Sequence, residues 1–330
     1  MQSMVLWYDL KKQGATNENM ATTPTLIDHS GNGHDATCYN FAWSGMSGIG
    51  GYTIRPFIGT GSNIIPSNHF TGDSYNLIGK PWLDESGLHW QCGPANNPTE
   101  PYKLHLNVSG IVEGNNVYIH QYNNAYYGSV ALVNGENRIQ IDITQGDKPN
   151  YPYLSFHADS PYETDIHIEI LPEYPNALVS DGVDDYCLVE GLPLLNKEDG
   201  YTVIAKRKWI GNKGCLSHKR DTVDENGAFQ FERYYVQGDA VFSNFSFGER
   251  TGCPIQIDDI TYQTTASYNG KVLNVGDLLD NNFLQLFHYG YRVNDGIFSS
   301  IALHSFILFN RDLSTDEIEW VKTNLIESEQ

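Results

Sequence analysis

Three carboxylates crowd one short stretch, at Asp181, Asp184 and Asp185, with Gly182 among them. Glycine accepts a positive φ and aspartate bonds its own backbone, so Ser180-Asp181-Gly182-Val183-Asp184-Asp185 reads as a tight turn. The apolar run Tyr186-Cys187-Leu188-Val189 follows it. A second oxygen-rich turn lies far upstream, at Asp28-His29-Ser30-Gly31-Asn32-Gly33-His34. Calcium takes about six to eight oxygen ligands, which carboxylates and turn carbonyls supply. Asp28, Asn32, Asp181 and Asp184 are therefore candidate Ca2+ ligands. The alternative is that Asp and Asn serve only their own turns.

Glu163-x-Asp165-x-His167-x-Glu169 is the pattern that most suggests catalysis. On a strand every second residue projects to one face, so all four share a side. A retaining glycosidase needs two carboxyl groups about 5–5.5 Å apart. Laminarinase-type enzymes carry E-x-D-x-E or E-x-D-x-x-E, whereas this run is E-x-D-x-x-x-E and matches neither. We expect no catalytic residue here, only the wet face of a strand, with a glycoside hydrolase as the runner-up. No G-x-S-x-G elbow, P-loop or dinucleotide fingerprint occurs.

Aromatic residues supply the other candidate site. Tyr118, Tyr122, Tyr126 and Tyr127 crowd one hairpin together with Asn123 and Asn124, and Trp82, Trp90 and Tyr153 are assigned to the same surface. Sugars present apolar C–H faces and hydroxyls, which tyrosine and tryptophan rings beside amides suit. The competing use of each ring is core packing in a β-sandwich.

The elements that must position these groups are read from composition and period. The chain has 330 residues, enough for one large core or two ordinary ones. Frequent Gly, Tyr and Phe and many short Val/Ile/Tyr/Thr runs favour β-structure. Twenty basic residues against forty acidic ones give a formal charge of −20. Such a polyanion repels nucleic-acid phosphates and anionic membranes, so neither is an expected partner. No run approaches the length of a membrane span, and the first ten residues lack the pattern of an export signal. The five cysteines show no metal-type spacing, so free thiols are expected.

Strict alternation marks strands at Lys103–Val108, Val117–His120, Arg138–Ile143 and Asp165–Ile170. Glycine-rich Ser44–Gly51 and proline-bearing Leu171–Pro175 flank this region as linkers. Near the end, Ser314-x-x-Glu317 is a capping box, and Ile318, Val321 and Leu325 form one helical stripe.

Three stretches resemble the concanavalin A-like, laminin-G-like jelly rolls. Ser180 to Tyr186 resembles that family's F-D-G-V-D-D-Y-V signature, Asp28 to Gly33 its D-x-S-G-N-G turn, and Ile307 to Ile318 its closing strand and N-R-x-L-S-x-x-E-I helix. Tyr268-Asn269-Gly270-Lys271 resembles its Y-x-N/D-G-K hairpin. The resemblance implies an all-β jelly roll formed by residues 1–46 and 176–330, with a short C-terminal helix. Residues 47–175 would be an inserted, smaller β-sandwich, similar to carbohydrate-binding modules. The resemblance also implies a setting like that of virion and surface proteins of gut bacteria and their phages. We therefore expect a non-catalytic binding or adhesion protein of a phage virion, contacting a glycan or host-surface receptor and other virion proteins, and able to form a homo-oligomer. A bacterial surface lectin is the alternative of the same class.

Overall fold

The structure is a computed structural model. It describes residues 3–52, 70–71, 74–79, 88–91, 102–114, 116–122, 126–141, 153–158, 164–193, 200–211, 213–219, 229–234, 245–246, 249–250, 258–265, 267–268, 271–272, 283–291 and 295–327. The chain divides into two compact units. One is formed by Met1–Gly51 with Tyr174–Gln330, the other by Tyr52–Glu173.

Among the described residues, the first unit is built on two large antiparallel sheets, with two small two-stranded ones beside them. The larger has eight strands, and its longest, Ser300–Phe309, pairs with Met4–Asp9, Leu178–Asp181 and Thr202–Trp209. Asp258–Thr264 extends the sheet beyond Thr202–Trp209. The smaller sheet has six strands, among them Ala36–Tyr39, Tyr186–Val189, Gly214–Lys219 and Leu284–Leu286. Alternation decides which residue faces which layer. Tyr8, Val203, Ala205, Phe306 and Leu308 of the large sheet share one buried cluster with Cys38, Cys187, Val189, Leu216 and Leu286 of the small one. The intervening Trp7, Ile204, Ile307 and Phe309 face the other way and pack on Ile318 and Val321 of the C-terminal helix. Both faces of the central strands are thus covered, which is why Ile-Leu-Phe and Val-Leu-Trp-Tyr runs are continuously apolar rather than alternating.

Helix Thr315–Val321 is held at its start by a reciprocal cap. The Glu317 N–H donates to Ser314 Oγ, and the Ser314 N–H donates to Glu317 Oε2. Arg311 donates to the same carboxylate from Nη2 and Nη1, at 2.6 and 3.0 Å. That hydrogen bonding, from Arg311 first and from Ser314, lowers the Glu317 pKa to about 2.

An ion pair crosses the main core. Arg207 of the large sheet donates to Glu232 of the small sheet from Nε and Nη2, each at 2.6 Å. Trp209 Nε1 and the Thr261 hydroxyl donate to the same carboxylate. Arg207 and Glu232 are both fully enclosed, and removing one partner of such a pair costs about 3–5 kcal/mol. The pair fixes one sheet in register on the other. Nearby, Cys38 and Cys187 sit opposite each other on adjacent strands with sulfurs 3.2 Å apart, as free thiols. Burial, then the neighbouring Cys38, pushes the Cys187 thiol well up.

The glycine-rich stretch read as a linker is partly a strand. Gly48–Ile49 pairs with Leu178–Val179, and the Tyr174 N–H donates to Gly50 O at 2.8 Å. Small residues are needed there because the backbone is approached closely: a Cβ on Gly48 would lie 2.9 Å from the Trp43 Cα, at a φ of +148°.

The second unit has two antiparallel sheets. One has five strands: Gly135–Ile141, Tyr102–Ser109, Thr164–Ile170, Ser74–Gly79 and Phe70–Thr71, in that order. The other orders Tyr126–Leu132, Val117–Tyr122, Tyr153–Ala158 and Leu88–Gln91. Leu106, Val108, Ile139, Ile168 and Ile170 of the first sheet are buried, as their alternation predicts. Among the described residues, no helix of the chain is long and apolar enough to cross a membrane.

Candidate functional site

The turn after Leu178–Asp181 brings three carboxylates together. Oxygens of Asp181, Asp184 and Asp185 lie within 4.8 Å of one another, a group that can hold a metal ion. Gly182 makes the turn, with φ +80°, and a Cβ there would meet the Ser300 backbone N at 3.3 Å. Much of the group's hydrogen-bonding capacity is already used. Asp185 accepts from the Asp181 N–H at 2.9 Å and from Ser47 Oγ at 3.0 Å. Asp181 accepts from the Val183 N–H at 2.8 Å, and Asn40 Nδ2 donates to Asp184 O at 3.0 Å. Asp185 is fully buried, whereas Asp184 is exposed. Burial pushes the Asp185 pKa up to about 7, with the Asp181 and Asp184 charges adding to it against two hydrogen bonds.

Asp28 and Asn32 do not belong to that group. The Asp28 carboxylate accepts from the Trp7 N–H, the Ser30 N–H, the Ser30 hydroxyl and the His34 N–H, all within 3.0 Å. Burial alone would raise its pKa; these bonds outweigh it and lower the value. Asn32 Nδ2 donates to Met4 O and Val5 O, at 2.8 and 2.9 Å. Asp28 and Asn32 thus lace the turn to the first strand. Of the four candidate calcium ligands, Asp181 and Asp184 are brought together, and their third member is Asp185.

Backbone register organises the aromatic candidates. Tyr122 is opposite Tyr126 and Tyr153, and Tyr153 is opposite Gln91. Two residues along, His120 is opposite Ser129 and Ser155, and Ser155 is opposite His89. Two further along, Tyr118 is opposite Ala131 and His157. These rows share one face of the four-stranded sheet. The rows between them carry Val117, Ile119, Leu154, Phe156 and Leu88, together with Trp90. Burial separates the two sides at one strand: Ala131 is exposed and Leu132 is buried. Tyr118, Tyr122 and Tyr126 therefore stand in the alternate rows that include Ala131, and Trp90 in those that include Leu132. Tyr127 falls at the register shift between Tyr126 and Gly128. Trp82, Asn123 and Asn124 lie outside the described residues.

Of the four-residue acidic pattern, Glu163 lies outside the described residues. Asp165, His167 and Glu169 lie on Thr164–Ile170. Glu169 stands opposite Asn107 and Ser74, and its Oε2 accepts from Asn107 Nδ2 at 3.5 Å.

Sequence reasoning missed Ser47 as the partner of Asp185, 138 positions away, because no local pattern links them. It also missed His89, Gln91, His120 and His157 beside the tyrosines. Their signal was present as period-two alternation within Val117–Tyr122 and Tyr153–His157. No protein-family model matches the chain, and no curated protein matches it.

Asp185 makes stability depend on pH in a defined direction. An unfolded aspartate has a pKa of about 3.9, so with about 7 in the folded state the native form binds the extra proton between those values. Stability from this group is full below the unfolded value and is lost as pH rises toward 7. In chelator, the melting temperature of Asp185→Asn is expected to vary less between pH 4.5 and 7.5 than that of the parent protein. Thermal unfolding at the two pH values checks this.

Proposed function

We propose that this is a non-catalytic binding protein whose second unit recognises a glycan. The observation that supports this most is the array of Tyr118, Tyr122, Tyr126 and Tyr153 with His89, His120, His157 and Gln91 on one sheet face. Neighbouring strands lie about 4.8 Å apart and same-face rows about 6.6–6.8 Å apart, so ring and polar positions recur regularly along and across the sheet. Aromatic and amide or imidazole positions in alternate rows suit stacking on C–H faces and bonding to hydroxyls. A catalytic reading would need two carboxyl groups at defined separation, and among the described residues these rows carry none.

The jelly-roll topology of the first unit is part of the same proposal. It is supported by two antiparallel sheets sharing a core, the capped closing helix and the Asp181–Asp185 turn. The virion setting, with a host-surface receptor and other virion proteins as partners, rests on the resemblance of the three motifs. For the acidic turn we propose Ca2+, because an all-oxygen donor set suits a hard cation. Its part would be to offset the carboxylate charges of the turn and hold it in place.

Two measurements check this reading. On an array of neutral and acidic oligosaccharides, the parent protein is expected to retain a defined set. Tyr122→Ala and Tyr118→Ala are expected to lose about tenfold or more in affinity, as removal of a stacking ring costs on the order of 1–2 kcal/mol. Retention of no glycan, or unchanged retention by both variants, would overturn it. For the turn, millimolar calcium is expected to raise the melting temperature over chelator in the parent and not in Asp184→Asn. Equal values in the parent would leave the hydrogen-bonded turn as the whole explanation.

A further inference from the structure

The first unit holds a cluster of positive charge that the acidic composition makes unexpected. A cavity of about 250 Å³ is lined by Lys11, Lys12, Lys206 and His304, with Asp9 and Ser305 beside them. Three lysines against one aspartate give the lining a formal +2 before His304 is counted, in a chain whose total is −20.

Two irregularities of the backbone shape this cavity. The register of Ser300–Phe309 on Thr202–Trp209 runs Lys206 opposite Ser305 and Arg207 opposite Leu303, so His304 is an extra residue. A bulge of this kind re-aims a side chain, and bulges are over-represented beside functional sites. Asp9, Ser305 and Lys206 form one row across the sheet, on the side opposite the Arg207 core pair. The second irregularity is the π-helical turn Lys322–Ile326 after the C-terminal helix. Such turns also recur at functional sites. Leu325 and Ile326 of that turn, with Pro175, give the cavity an apolar wall.

Among the described residues Lys11 and Lys206 make no ion pair. Lys12 lies over the Trp7 ring, 4.9 Å from its centre. The Asp9 carboxylate accepts from the Lys12 N–H as the cap of Leu10–Gln13. That helix has four residues and little dipole to complement, and Lys206 and His304 come from other elements. Convergent like charges repel, and an anion between them would offset that repulsion.

We infer that this cavity binds an oxyanion, a carboxylate or phosphate carried on a group the size of one sugar ring. Lysine ammonium groups hold the anion as point charges and the apolar wall takes a C–H face. The volume lies just below the ~300 Å³ at which ordinary small-molecule pockets begin, so a monosaccharide-sized group is favoured over a larger ligand. Glycan binding at the tyrosine face uses other residues, and loss of either leaves the other intact.

The test uses the full chain at constant ionic strength, so that general screening of a polyanion is held fixed. D-glucuronate, inorganic phosphate and neutral D-glucose are titrated by calorimetry and by thermal shift. Glucuronate, phosphate or both are expected to raise the melting temperature by roughly 5 °C at a hundredfold excess over Kd, and glucose is not. Response to glucuronate alone assigns a carboxylate sugar, response to phosphate alone a phosphorylated one, and response to both an oxyanion site common to them. Lys206→Gln and the surface change Lys11→Gln each lose tenfold or more in affinity, while Lys213→Gln, at an exposed position outside the cavity lining, binds as the parent does. No response to either anion, or parental binding by both Lys206→Gln and Lys11→Gln, overturns the inference.

Discussion

The strand Ser300–Phe309 is the constraint on which the first unit depends. It lies near the end of the chain, yet it pairs with Met4–Asp9, Leu178–Asp181 and Thr202–Trp209. Three segments from the start and middle of the sequence therefore have no common sheet until this strand is laid between them. Such non-local pairing carries loop-closure entropy before it is rewarded, so the two-sided burial of its residues must supply the compensation. Phe306 and Leu308 bury inward, and Ile307 and Phe309 bury under the C-terminal helix. The helix cap at Ser314 is thus coupled to the sheet, because the helix has its stable position only on those outward residues.

The Arg207–Glu232 pair adds specificity to this burial. Apolar packing alone tolerates sliding of one sheet on the other, whereas a bidentate pair supported by Trp209 and Thr261 is satisfied in one alignment. The same alignment sets the outer face, where Lys206 and Ser305 meet across the bulge at His304. Core register and cavity shape are consequences of one strand arrangement. The tyrosine face of the second unit follows from its own register, through Val117–Tyr122 and its two neighbours.

Local signals carried much of this into the sequence. Capping chemistry at Ser314 and Glu317, the turn at Gly182 and the alternation of Lys103–Val108 and Asp165–Ile170 are set by neighbouring residues, so they were legible. The ion pair at Arg207 was not, since Glu232 lies on another sheet and neither residue sits in a distinctive pattern. Asp28 looked like a metal ligand because a carboxylate in a turn does so whether it serves an ion or four N–H and O–H donors. The cavity cations were invisible for the same reason: Lys11, Lys206 and His304 converge only through strand pairing. Trp90 was grouped with the tyrosines by type, and register separates it by a single row.

The central claim is that Met1–Gly51 and Tyr174–Gln330 form one folding unit whose strands need nothing from the residues between. The Tyr174 N–H bonded to Gly50 O brings the two ends of the interruption together. Replacing residues 52–173 by a two-glycine linker and following urea unfolding by near-ultraviolet circular dichroism tests this directly. The account predicts one cooperative transition with a native aromatic signal. A protein without that signal, or one that unfolds gradually, would contradict it.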